Sequence, residues 1–206
     1  MSGELKGIIM PTPVRIILFL LTILMPATLA ASPAETVGTY HDRLVKSVSD
    51  NTGKTDKARY EALAPAMDDA FDFESMIKTA AGSHWAKADP ATQQDLLAAF
   101  RHVSIATYAD QFAGLTKGAF SSKGTRNGPR NLKLVDTVLH TGSDDVAMTY
   151  VVRQKGDNWL IVDVLLRGGI SELALRASEY ASTLKDGGAA ALAKTLNQQA
   201  NTLLAH

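Results

Sequence analysis

The sequence predicts an α+β domain with helices before and after a curved antiparallel sheet of about four strands. Three observations predict it. Apolar residues recur with helical period from Val37 to Phe112, alternate with period two between Leu132 and Leu166, and return to helical period from Ser171 onward. At 206 residues and 46% hydrophobic composition, the chain is long enough for one domain with a full core and short for two.

Residues 1–31 read as a secretory signal peptide. Arg15 precedes the apolar run Ile16 to Leu24, and Met25, Pro26 and the small residues ATLAAS follow it, placing cleavage after Ala30 or Ala31. The run falls well short of the roughly 20 residues that a membrane-spanning helix requires. Met10 offers a second start with a cleaner n-region. Removing Lys6, Arg15 and Glu4 leaves 19 basic and 20 acidic residues, without the basic surplus that a nucleic-acid partner would need. The chain has no cysteine, so an exported domain of this size must rely on its core, as suits a periplasmic protein.

In residues 32–206, the stripes Val37, Tyr40, Leu44, Val48 and Tyr60, Leu63, Met67, Ala70 predict two helices separated by a turn at Asn51 to Thr55. A third, with Phe73, Met76, Ile77, Ala80 and Ala81, is capped by Asp72 and ends at Gly82. Asp89 as N-cap and Pro90 at the first helical position open a long helix to about Phe112. Its residues Leu96, Phe100, Val103 and Thr107 form one face, and Ile105, Ala109 and Phe112 another. An apolar surface on more than one side fits either a cavity between helix and sheet or a helix covered by its neighbours.

A weak strand is expected at Ala119 to Arg126, and clear ones at Leu132 to His140, Val146 to Arg153 and Trp159 to Leu166, with turns at TGSDD and KGDN. Alternation puts Val146, Met148, Tyr150 and Val152 on the more apolar face, toward the helices. Ser171 then opens a helix carrying Leu173, Ala177, Tyr180 and Leu184, and Gly187-Gly188 separates it from another with Leu192, Leu196, Ala200 and Leu203.

Candidate catalytic groups are few. The five histidines, His41, His84, His102, His140 and His206, show no metal-ligand spacing, and the sequence offers no cofactor motif. Asp68-Asp69 and Asp144-Asp145 sit at a helix end and in a hairpin turn. Gly168-Gly169-Ile170-Ser171 lacks the P-loop lysine and the second glycine of a nucleophile elbow, so the glycines read as a sharp turn and Ser171 as a cap. Lys117, Lys123, Arg126, Arg130 and Lys133 read as a solvated edge.

The segment FDFESMIKTAAGSHWAKADPATQQDLLAAFRHVSIATYADQF, together with NWLIVDVLLRGGISELALRASEY, resembles the MlaC or toluene-tolerance family of periplasmic lipid-binding proteins, soluble auxiliaries of ABC lipid-transport systems. The matching features are Phe71 to Phe73, Gly82, Trp85, Thr107 to Ala109 and Trp159 to Val164. Residues Ile170 to Gly188 are similar to the hopanoid-associated HpnM branch. The resemblance implies helices and sheet enclosing an apolar pocket for lipid tails, no catalysis, no cofactor, and inner-membrane lipid transporter components as partners. The expected lining is Phe73, Met76, Ile77, Phe100, Val103, Ile105, Tyr108, Ala109 and Phe112 from the helices, with Val146, Met148, Tyr150, Val152 and Tyr180. The function so implied is a non-enzymatic carrier of a hopanoid or phospholipid between inner and outer membrane systems. Two readings compete with it: a small hydrolase or isomerase on a similar cone-shaped fold, using Asp163 or His102, and a protein-interaction module. The first lacks a mutually spaced acid, base and nucleophile in the sequence.

Overall fold

The computed structural model describes residues 31–205, so the expected signal peptide lies, except for Ala31, outside the described residues. Five helices precede the sheet: α1 (Pro33–Ser49), α2 (Asp56–Ala70), α3 (Phe73–Ala81), α4 (Ser83–Lys87) and α5 (Pro90–Gln111). The sheet is a meander of β1 (Phe120–Asn127), β2 (Lys133–His140), β3 (Asp145–Lys155), β4 (Asn158–Leu166) and β5 (Ile170–Ser171), paired antiparallel in chain order. The last helix, α6 (Glu172–Leu203), breaks at Gly188, whose φ of 69° and ψ of −164° are not helical. Residues from both sides of this break line one groove, so α6 has two facing arms.

Every helix but α4 starts where a side chain can satisfy its free N–H groups. Ser32 and Glu35 form a reciprocal capping box at α1. Thr55, Asp72 and Asp89 cap α2, α3 and α5 by accepting from the third residue beyond them. Gly82, at φ 52°, ends α3, and α4 follows directly. Asp72 has a second task. It is almost fully buried and also accepts from Arg153 at 3.0 Å and Lys155 at 3.4 Å on β3, while its N–H donates to the Ile161 carbonyl of β4. The Phe71–Phe73 segment is thereby fixed to the sheet.

One face of the sheet carries the core. Val135, Thr137 and Leu139 of β2 and Met148, Tyr150 and Val152 of β3 are buried or nearly so, as strand alternation requires. In β4, Ile161 and Val164 are both buried although three residues apart, because the register against β3 shifts between Val151 and Val152 and resets the alternation. An aromatic chain links the layers. Tyr40 of α1 meets Phe71 edge-on at 5.1 Å between ring centroids, Phe71 meets Tyr108 at 5.9 Å, and Phe73 meets Phe100 at 6.2 Å.

Helix α5 runs through the middle of the helical layer, and this explains its apolar surplus. On one side α2 reaches it through the Arg101–Asp68 pair at 2.6 Å and through Arg59, whose Nε donates to the Ala109 carbonyl at 3.2 Å. On another side, the second arm of α6 brings Asn197 to His102 at 3.1 Å. Ile105 and Ala109 are fully buried. Coverage by neighbours, the second of the two readings left open, accounts for this face.

Candidate functional site

A groove of about 610 Å³ opens between α5 and the two arms of α6. Val103, Thr107 and Gln111, four residues apart and so stacked on one helix face, form the α5 wall. Arg176 and Tyr180 line it from the first arm of α6, Gln198 and Thr202 from the second. Beneath the groove lies a narrow crevice of only about 10 Å³, walled by Phe71, Phe73, Met76, Ser104 and Tyr108. Glu172 and Arg176 line both spaces. They stand between a wide groove of mixed polar and apolar lining and the apolar interior.

The polar groups at this junction are poorly matched. The Tyr108 hydroxyl donates to Glu172 Oε2 at 3.3 Å. Burial pushes the Glu172 carboxyl up, against the opposing pull of Arg176 and the Tyr108 hydrogen bond. Burial, and then Glu172, push the Tyr108 hydroxyl well above its ordinary range. Arg176 forms no ion pair or hydrogen bond of good geometry among the described residues, although burial works against its charge and Tyr180 and Glu172 restore it. The Tyr180 hydroxyl lies beside the guanidinium without a well-formed hydrogen bond, and the Ser104 hydroxyl is likewise buried without a partner.

The expected lining residues distribute unevenly. Phe73, Met76 and Tyr108 wall the crevice, and Val103 and Tyr180 wall the groove. Ile77, Phe100, Ile105, Ala109, Met148, Tyr150 and Val152 are packed in the core, while Phe112 and Val146 are half-buried. Phe112 lines a different cavity, beside the β2–β3 hairpin. Sequence reasoning missed Glu172 and Arg176. Their signal was the spacing Glu172, Arg176, Tyr180, which puts a charged pair and an aromatic on one helix stripe.

The groups offered for catalysis have structural partners. Ser171 caps α6, accepting from the Ala174 N–H at 2.9 Å, and donates to Asp163 Oδ2 at 2.6 Å. Asp163 Oδ1 also accepts from the N–H groups of Leu173 and Val164. The double-glycine segment is therefore a corner, with φ 84° at Gly168, and the serine and aspartate hold the helix start. Ser171→Ala is expected to lower stability by about 0.5–2 kcal/mol with no loss of ligand. Urea unfolding measures the first effect, and stoichiometric labelling of Ser171 by a serine-reactive probe would contradict the role of cap. His102 contacts Asn197 and the Tyr60 ring, away from both spaces described.

One correction concerns the acid, base and nucleophile. Ser121, His140 and Asp145 do stand in hydrogen-bonded order across three strands: Asp145 Oδ1 lies 2.6 Å from His140 Nδ1, and Ser121 Oγ 3.0 Å from Nε2. Sequence separation hid them, since strand pairing creates the set. The set lies on the solvent side of the sheet. The cavity beside β1 is lined by Phe120 and Ser122, so the intervening Ser121 points away from it. A neighbouring ladder, Arg126–Asp136–Thr149, has the same character, and both read as cross-strand polar pairs. Arg126 and Lys133, the latter bonded to Asn127 at 2.6 Å, belong to the basic edge on β1 and β2.

Comparison with known proteins bears on this geometry. The family model described as MlaC protein matches residues 39–198. Among solved structures, a phospholipid-binding protein from Ralstonia solanacearum, determined in complex with a phospholipid, matches with a TM-score of 0.74 and 22% identity, covering 84% of this chain and 99% of that one. No curated protein matches.

Proposed function

The chain belongs to the MlaC protein family, and from that premise we propose that it is a non-enzymatic periplasmic carrier that moves a hopanoid or phospholipid between inner- and outer-membrane systems. The observation that carries this reading is that Glu172 and Arg176 line both the groove and the crevice beneath it. A groove carrying charged and amide side chains above an aromatic-walled crevice has the two-part chemistry of an amphiphile. Burying hydrocarbon contributes about 0.8 kcal/mol per CH₂, so the tails supply the affinity.

The crevice, at about 10 Å³, is too small for an acyl chain, so tails enter only if the first arm of α6 moves off α3 and α5. Gly168 and Gly188, at φ 84° and 69°, flank that arm and mark the two places where the backbone can turn with little steric cost. The arm is the movable wall, and the docking of a membrane transporter component is the event that shifts it. Residues 1–31 serve as the export signal. The resemblance of Ile170 to Gly188 to the hopanoid-associated branch supports a hopanoid cargo, and the phospholipid held by the Ralstonia protein supports the other.

Native mass spectrometry of protein taken from the periplasm tests the reading in one measurement. The expected spectrum shows a chain beginning at Ala31 or Ser32 with one lipid mass bound. A lipid-free chain that takes up no lipid from vesicles would overturn the carrier, and an intact Met1 or Met10 terminus would overturn the export signal.

A further inference from the structure

We infer that the slot between α1 and the free edge of β1 is a docking site for an extended, acidic segment of a protein partner, which pairs with β1 as an added strand and places one acceptor on His41. β1 pairs with β2 alone, so its other edge has no strand beside it. Along that edge runs a cavity of about 450 Å³, which shares no lining residue with the α5–α6 groove. Gly38, His41, Val45 and Ser49 wall it from α1, at a spacing that keeps them on one helix face. That face rises about 16 Å, the length of about five extended residues. The Ala119 carbonyl accepts from the His140 N–H at 2.7 Å, so the alternation of antiparallel pairing turns the main-chain groups of Ala119 and Ser121 toward β2 and those of Phe120 and Ser122 outward. Among the described residues, no group outside the sheet hydrogen-bonds those outward groups. Beyond Ser122 a bulge interrupts the register, and the slot ends there.

His41 gives the slot an anchor. It is 7% exposed, lines the cavity and stacks on Phe120. The Tyr150 hydroxyl lies 2.9 Å from Nε2 and has no other acceptor among the described residues, so it donates there and the neutral ring carries its proton on Nδ1. That N–H has no partner among the described residues. The two ring nitrogens point in divergent directions, so with Nε2 turned to the core the Nδ1–H is turned to the cavity. A carboxylate on a side chain pointing in from the added strand is the acceptor that satisfies it. Charge selects among such segments. Among the described residues, Lys117 on the wall and Lys123 just beyond it have no ion pair, Lys46 is held by Asp50 at 2.6 Å, and Asp42 is the one unpaired acid on the wall. The surplus is basic and favours an acidic segment. It also disfavours a second copy of this chain, since two β1 edges laid together bring their lysines onto each other.

The test uses the full mature protein, isotope-labelled for NMR, and a capped octapeptide alternating threonine and glutamate. The peptide is expected to shift amide signals along α1 and Phe120 to Ser122 and to leave the groove residues of α6 unmoved. Two methylated forms of it, with N-methyl groups on alternate amides in one frame or the other, should part: the form whose methyl groups face β1 loses binding and its counterpart keeps it. Ser122→Pro removes an outward N–H at an edge position that tolerates proline, so it should abolish binding with the melting temperature close to wild type. His41→Phe keeps the stack and removes the donor, and should weaken binding about tenfold, as should Lys117→Glu combined with Lys123→Glu. Should Ser122→Pro fail to fold, the methylated pair on the wild-type protein still decides. Equal behaviour of the two methylated forms, or equal binding of a peptide with lysine in place of glutamate, overturns strand addition by an acidic segment. Full affinity in His41→Phe removes the anchor. A capped single glutamate that reproduces the shifts at the same concentration makes the slot a small-carboxylate site, and a concentration-dependent dimer through β1 makes it a self-interface; either overturns the proposal, as does an octapeptide that shifts nothing.

Discussion

Between pH 6.5 and pH 4 the protein is expected to lose about 3 kcal/mol of stability through His41 alone. This histidine belongs to α1, is 7% exposed, and stacks on Phe120 with ring centroids 3.8 Å apart. Its Nε2 lies 2.9 Å from the Tyr150 hydroxyl. Tyr150 is itself held protonated by burial, so its hydroxyl matches the neutral histidine that carries its proton on Nδ1. Burial lowers the His41 pKa from 6.5 to about 4. In that window the unfolded chain binds a proton that the folded chain does not, so stability falls as pH falls. It is fully present above pH 6.5.

Other groups act elsewhere or in the opposite sense. Asp72, whose desolvation is outweighed by hydrogen bonds from Ser75 and Arg153, lies below the ordinary carboxylate value, so its contribution is lost only at lower pH. Glu172 is raised by burial, so the folded state gains on the acid side and loses as pH rises through its folded pKa. That opposes His41 and will reduce the observed slope. His41→Phe separates the two terms, because it keeps the stack on Phe120 and removes the titration. Urea unfolding from pH 7.5 to pH 4 should show a steep decline in the wild-type protein and a flatter one in the variant. Parallel profiles would mean that His41 titrates as it does in the unfolded chain.

Much of the fold was legible because its signals are local. Asp89 and Pro90 start α5, Gly82 ends α3, and Ser171 caps α6, each through chemistry within three or four residues. The turns at Gly142 and Gly156 separate strands whose alternation is visible without a partner. The short elements were not legible. With five residues in α4 and two in β5, neither is long enough to show a period, and β5 exists only because Ile170 and Ser171 return along β4. β1 gave a weak signal for another reason: six of its eight residues are exposed, as suits an edge strand with little core to cover.

The site was less legible than the fold. Glu172 and Arg176 resemble an ordinary surface pair until the second arm of α6 folds back beside them, and that return depends on Gly188, 12 residues beyond Arg176. The Ser121, His140 and Asp145 set required the register of three strands. The apolar surplus on α5 was visible, but its cause was not. Sequence periodicity reports how much of a helix is covered, and it does not say whether a neighbour or a ligand covers it.

Two substitutions on α5 distinguish those causes. Thr107 and Ala109 are two residues apart, so at about 100° per residue they point to nearly opposite sides of the helix. Thr107 faces the groove between Val103 and Gln111. Ala109 is fully buried beside Ile105, and its carbonyl is held by Arg59, whose guanidinium also donates to the Lys54 carbonyl at 2.7 Å and pairs with Asp56. That Arg59 network ties the start of α2 to the last turn of α5, so a bulky group at Ala109 must displace packed helix. Ala109→Trp is expected to cost about 1–3 kcal/mol or more through overpacking, with the remaining folded protein still carrying lipid. Thr107→Trp should do the reverse. Its indole can lie in the groove, so the melting temperature should stay close to wild type while bound lipid falls sharply. Thermal unfolding and lipid content measured on the same samples give both readings. A stable, lipid-free Ala109→Trp would place the cargo on the α2 side of α5, and a Thr107→Trp protein with undiminished lipid would mean that the groove is not the way in.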